Sequence, residues 1–251
     1  MPSKWFAGLF GVLLWACSNP LLAFATLDEQ VDYYLEVLER GGYTIKLQML
    51  QRLQWSGLSE PRLFDAIEKQ LLEHYRESEY NKQPLAVLAH QARALGYSGS
   101  EKYRATLVEV RQNAGHSKLR SHANTALQQL PRFRDWHLLI EASDFPVEDK
   151  AVEIGAYMKM LSVENPYVQR LAARAIFHER RQDSELLALA ASRLESGYLD
   201  PELPAAAQDT LVWLCKALGQ SGGLTYQDLL AKVVIDSPHE KIKRQAKKYI
   251  Q

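Results

Sequence analysis

Apolar residues recur along this chain at helical spacing almost throughout. Val168, Leu171, Ala172, Ala175 and Ile176 share one face of a helix that Asn165 can cap and Pro166 can open. Leu186, Leu187, Ala190 and Leu194 mark a second helix ending near Gly197, and Leu211, Leu214, Cys215 and Leu218 a third. Gly219, which carries no Cβ, is the expected left-handed stop of that third helix. Tyr226, Leu229, Leu230 and Val233 mark a fourth. Ser237-Pro238-His239-Glu240 combines an N-cap, a proline at the first helical position and a glutamate at the third. A last helix is therefore predicted there, with Ile242, Ala246, Tyr249 and Ile250 on its apolar face. In the N-terminal half the same reading predicts helices near 28–40, 44–55, 60–76, 84–95, 100–112 and 117–129. No run of alternating β-branched residues with hairpin-turn chemistry stands out, so the fold class is all-α.

The pattern occurs twice. Ala94-Leu95-Gly96 and Ser98-Gly99 return as Ala217-Leu218-Gly219 and Ser221-Gly222, a shift of 123 positions between Gly96 and Gly219. Without a gap, that shift carries Leu88 onto Leu211, Tyr103 onto Tyr226, Leu107 onto Leu230, Val110 onto Val233 and Ala123 onto Ala246. The register continues more weakly towards the N-terminus, pairing Tyr34 with Tyr157 and Leu38 with Leu161. Two tandem copies, 26–130 and 150–251, follow, joined by residues 131–149, which read as a connecting helix and a turn. Short helices cannot each bury both faces alone. Stacked antiparallel pairs give one continuous core, the architecture of an α-solenoid, and such repeats present surfaces more often than chemistry.

Ala-Leu-Gly-x-Ser-Gly, then Tyr and Leu at helical spacing, then a polar turn and Lys118-Leu119-Arg120 or Lys241-Ile242-Lys243 leading into an Ala-containing helix, resembles HEAT repeats, in particular those of exported bacterial proteins. Asn165-Pro166-Tyr167-Val168-Gln169-Arg170-Leu171-Ala172-Ala173-Arg174-Ala175 is the most HEAT-like helix start. The resemblance covers residues 44–251 in patches. It implies a right-handed superhelix of helix pairs whose inner helices line a concave, protein-binding face, and it carries over no catalytic residues.

The first 25 residues differ from the rest. Lys4 is a lone positive charge, Trp5 to Ala16 is apolar, and Ser18-Asn19-Pro20 breaks the run before Ala23-Phe24-Ala25. The apolar run is about a dozen residues, against roughly 20 needed to span a bilayer, so it reads as a signal peptide cleaved between Ala25 and Thr26. A competing reading takes Leu14-Trp15-Ala16-Cys17 as a loose lipobox, with Cys17 lipidated as an outer-membrane anchor. Either reading sends the protein to the periplasm or beyond. Cys215 is then the single remaining thiol and reads as a small buried hydrophobe, its counterpart being Ala92. Thirty basic residues balance thirty acidic ones, so no global field favours nucleic acid.

Candidate chemistry is sparse. His137 and Glu141 could share a helix face and hold zinc, but a structural site needs four ligands and a catalytic one three, and no third is near. His116 and Lys118 are repeated as His239 and Lys241, a possible anion-binding rim; the plainer reading is polar residues in the first turn of a helix. The basic run Lys241, Lys243, Arg244, Lys247 and Lys248 reads as the polar outer face of a terminal repeat. Nucleophile elbow, zincin, Cys-x-x-Cys and phosphate-loop motifs are missing, and no cofactor is expected. The expectation is an exported, non-enzymatic scaffold or adaptor that grips a protein or peptide on its concave face. The alternative is a lyase- or hydrolase-type enzyme or enzyme subunit with a pocket between the copies, near Trp136, His137 and Glu141.

Overall fold

The computed structural model describes residues 23–77 and 82–250. Among these it contains twelve α-helices and no strand. The first copy holds α1 (Leu27–Arg40), α2 (Tyr43–Arg52), α3 (Pro61–His74), α4 (Lys82–Tyr97), α5 (Arg104–Asn113) and α6 (Ser117–Glu141). The second holds α7 (Val152–Ser162), α8 (Pro166–Glu179), α9 (Ser184–Glu195), α10 (Ala205–Ser221), α11 (Gln227–Asp236) and α12 (Glu240–Ala246). Moving α5 by 123 positions gives the bounds of α11, and a short 3-10 turn precedes each, at Glu101–Tyr103 and Gly223–Tyr226. No helix among the described residues is long and apolar enough to cross a membrane.

Even-numbered helices form one row. α4 packs on α2 and α6, and α10 packs on α8 and α12, while each odd-numbered helix covers its even partner from the other side. A single apolar core runs through both copies and includes Tyr34, Phe64, Leu95, Tyr103, Leu130, Tyr157, Ile176 and Leu218. Cys215 lies within it, and burial pushes its thiol up to about 12, so it behaves as the small hydrophobe expected.

Local signals account for several boundaries. Asn165 Oδ1 accepts from the Tyr167 and Val168 amides at 3.0 and 3.2 Å, and Pro166 opens α8 as predicted. Thr26 caps α1 through a reciprocal box: its Oγ1 accepts from the Glu29 amide at 3.2 Å, and the Glu29 carboxylate accepts from the Thr26 amide.

Three expectations are corrected. Residues 131–141 are not a separate connecting helix but the second half of α6, which continues through Pro131. A proline there forfeits the bond to the Leu127 carbonyl, yet Leu130, Phe133, Trp136 and Ile140 extend the buried stripe begun by Leu119, Ala123 and Ala126. One continuous buried face outweighs one lost bond. The last helix starts at Glu240 with His239 at its cap, two residues later than Ser237-Pro238 suggests; Ser237 Oγ instead accepts from the His239 amide at 3.3 Å. Gly219 does not stop α10 but lies inside it, where the Tyr249 ring leaves no room for a Cβ.

The first helix pairs of the two copies meet each other. Trp55, in the turn after α2, stacks on His178 of α8 with ring centroids 5.0 Å apart and planes 17° from parallel. These residues lie 123 positions apart, so equivalent positions are in contact, as across a twofold axis. Gly57 and Arg180 are also equivalent, and both take left-handed backbone, φ 74° and 53°.

Candidate functional site

Two polar constellations sit at this meeting of the copies. The first is buried. Glu179, at the end of α8, receives Arg52 Nε at 3.2 Å, Trp55 Nε1 at 3.1 Å and the Tyr157 hydroxyl at 3.0 Å on one carboxylate oxygen. Its other oxygen receives Arg181 Nε at 2.8 Å and lies 3.0 Å from Arg52 Nη2. Arg180 makes this possible: its left-handed conformation ends α8, the Arg181 amide turns back to the Ile176 carbonyl at 3.1 Å, and Arg181 points inward. Burial pushes the Glu179 carboxyl up, and the Arg52 and Arg181 charges more than reverse that, leaving it below the ordinary carboxylate value. Burial also raises the Tyr34 phenol beside this node to about 12.

Glu153 lies 3.8 Å from Arg181 and accepts the Phe24 amide at 3.4 Å, but burial dominates and its carboxyl is held above the ordinary value. A carboxyl raised in the folded state contributes stability below its unfolded value, and that contribution is lost as pH rises through the folded value. The equivalent position in the first copy is Gln30, also buried. Glu153→Gln is therefore expected to stabilise the protein at pH 7, with the gap to wild type closing as pH falls towards 4. Urea midpoints measured across that range check it, and a lower midpoint for the variant at pH 7 would refute it.

The second constellation opens to solvent along the even-numbered row. Arg174 of α8 lies between two tryptophans, its guanidinium carbon 5.3 Å from the Trp55 ring centroid and 5.4 Å from that of Trp213 on α10. His178 packs against both rings, and Lys216 Nζ sits 3.8 Å above Trp213. On α4, Arg93 lies 5.6 Å from the Tyr97 ring, and His90 makes an edge contact with His122 of α6. Burial and like charge act together on these groups. Burial, then His122, Arg93 and Lys118, bring His90 down to about 4. Burial with Arg174 and Lys216 lowers His178; burial with Arg170 lowers Arg174; burial with Lys248 and Arg174 lowers Lys216. The Nε atoms of Arg93 and Arg174 are buried with no hydrogen-bond acceptor among the described residues. Nearby carboxylates are already engaged, Asp209 by Arg170 and Lys241, and Glu179 by Arg52 and Arg181.

The residues singled out from sequence are placed differently. His116 caps α6, its Nδ1 accepting from the Lys118 amide at 3.1 Å. His239 bonds through Nε2 to the Asp200 carbonyl at 2.8 Å, and Lys241 pairs with Asp209. The repeated histidine and lysine positions thus have different partners in the two copies. Of Trp136, His137 and Glu141, the first two are buried against Phe133, with His137 Nε2 2.9 Å from the Tyr97 carbonyl, whereas Glu141 is exposed. Residues 1–22, with Lys4 and Cys17, lie outside the described residues. Ala25 and Thr26 lie within them, in the capping turn of α1.

Sequence reasoning passed over His90, Arg93, Trp213 and Lys216. The shift of 123 carries His90 onto Trp213 and Arg93 onto Lys216, a ring followed three residues later by a cation in both copies. Matching by chemical class rather than by identity finds it. Compared with protein-family models and with curated proteins, the chain matches none.

Proposed function

We propose that this is an exported, HEAT-like helical-repeat scaffold or adaptor, and that it grips a protein or peptide on the face of its even-numbered helices. The observation that carries this reading is the array of rings and cations shared by α4, α8 and α10, whose Arg93, Arg174 and Lys216 pair with no carboxylate among the described residues. A repeat protein that presents side chains of several helices on one face is built to contact an extended partner. For the address, the signal-like leader supports export to the periplasm or beyond. Phe24 bears on its processing: its carbonyl accepts the Val152 amide at 3.0 Å and its ring lies 5.4 Å from Tyr33. Cleavage after Ala25 would discard these contacts, whereas an anchor at Cys17 would keep them; the intact mass of the exported protein distinguishes a Thr26 amino terminus from a lipidated Cys17.

Affinity capture from an envelope extract of the host tests the function. Wild type should retain a stoichiometric protein, and single alanine substitutions at Tyr167, Arg170, His178, Trp213 and Lys216 should weaken its capture while circular dichroism stays unchanged. Capture that survives all five sinks the reading.

A further inference from the structure

The even-numbered row is not merely a polar surface; three of its cations, Arg93, Arg174 and Lys216, meet no carboxylate among the described residues. Arg93, Arg174 and Lys216 line it, with Lys118, Arg170 and Lys248 close enough to depress the basicity of their neighbours. In a chain of formal net charge zero, this concentration of positive charge is local. Holding guanidinium and ammonium groups together costs free energy that an anion reaching their exposed edges recovers. Carboxylate is matched to these donors, since each guanidinium presents parallel N–H groups to two oxygens.

The geometry also selects the form of the anion. Trp55 is flanked by Arg174 and His178, and Trp213 by Arg174, His178 and Lys216. The tryptophans therefore act as walls that orient cations, and offer little open ring face for a nucleic-acid base, whose binding depends on such platforms. Recognition falls to the outward edges of the cations. Arg174 and Lys216 stand on the packed helices α8 and α10, and Arg93 on α4 is separated from α8 by α2; packed helices are spaced about 8–10 Å apart, and an extended peptide advances about 3.3 Å per residue. Acidic side chains at every second or third residue of such a strand keep step with that spacing, and about eight residues reach from α4 across α2 and α8 to α10. The duplication supplies the ring-and-cation unit at both ends, His90 with Arg93 and Trp213 with Lys216.

We propose that this face binds an extended acidic peptide segment of a partner protein, its carboxylates seated against Arg93, Arg174 and Lys216. This rests on the even-numbered row being the gripping face. The test is a titration of the full-length protein with octaglutamate at low salt, followed by tryptophan fluorescence, since Trp55 and Trp213 flank Arg174. A saturable response is expected, weakened by salt and not reproduced by octalysine. Arg174→Gln and Lys216→Gln should each weaken binding about tenfold with helix content retained; Lys216 is half-exposed and keeps the test open should the Arg174 variant fail to fold. No saturable response, or one that neither variant changes, overturns the proposal. So does tighter binding of an octameric oligogalacturonate or of an eight-nucleotide single-stranded DNA, which would assign the face to an anionic polymer. A partner from envelope extract that both variants still capture also overturns it, and leaves the scaffold reading standing.

Discussion

Glu179→Ala is expected to lower folding stability by about 3–5 kcal/mol, the cost of removing one partner from a buried ion network. The side chain is 5% exposed, and Arg181 beside it is 4% exposed. Removing the carboxylate leaves two guanidinium groups, the Trp55 indole N–H and the Tyr157 hydroxyl without their shared acceptor. The groups come from α2, its following turn, α7 and the end of α8, so the loss falls on the contact between the two copies. In a chain of this size the effect corresponds to a fall in Tm of roughly 10 °C. It should be accompanied by a changed pH profile. A carboxyl lowered in the folded state contributes stability above its unfolded value, about 4.3, which is lost as pH falls through the folded value. The wild type should therefore lose stability in acid through this residue, and the alanine variant should lack that component. Thermal melts at pH 7 and pH 4 check both, and a variant within 1 kcal/mol of wild type at pH 7 would show the network to be energetically idle.

That network was illegible in the sequence for a definite reason. The duplication aligns Arg52 with Ala175, Glu179 with Ser56 and Arg181 with Leu58, so none of the three charges is repeated. Arg52 and Glu179 lie 127 positions apart, and nothing local to either marks it as buried. Helix faces, by contrast, were legible, because burial imposes a 3.6-residue period on the chain itself: Val168, Leu171, Ala172, Ala175 and Ile176 are all buried as their spacing predicts. Caps were legible where a side chain bonds its own helix, as Asn165 does, and misleading at Ser237, where the serine belongs to the turn before the cap. The continuation of α6 through Pro131 was hidden because a local breaker was overruled by long-range burial. The cation–aromatic face was hidden differently: its repeated positions hold histidine in one copy and tryptophan in the other, and identity matching discards such pairs.

The repeated Ala-Leu-Gly shows how a true sequence signal can be assigned the wrong cause, and it yields the sharpest structural prediction. Gly96 lies inside α4 and Gly219 inside α10, neither with a left-handed backbone, so conformational freedom is not what glycine supplies there. A Cβ on Gly96 would meet the Ala126 Cα and carbonyl oxygen at 2.8 Å, in the backbone of α6. The two helices cross so closely that only hydrogen fits between them. Helix propensity favours Gly96→Ala by about 1 kcal/mol, but the clash is with backbone, and one helix must move away from the other. The separation would open contacts along the crossing, where Leu95, Ala123, Ala126 and Leu127 are buried. Gly96→Ala is expected to cost about 3 kcal/mol net, at the upper end of overpacking effects. Gly219→Ala should cost less, because its neighbour is the half-buried Tyr249 side chain near the C-terminus, which can rotate away. Gly42→Ala, with nothing within 4 Å of its added methyl group, should be neutral or stabilising. Urea denaturation of the three variants separates the explanations: the order Gly96, Gly219, Gly42 in decreasing cost is the signature of helix approach, whereas equal losses at Gly96 and Gly219 would return the motif to a chain-terminating role.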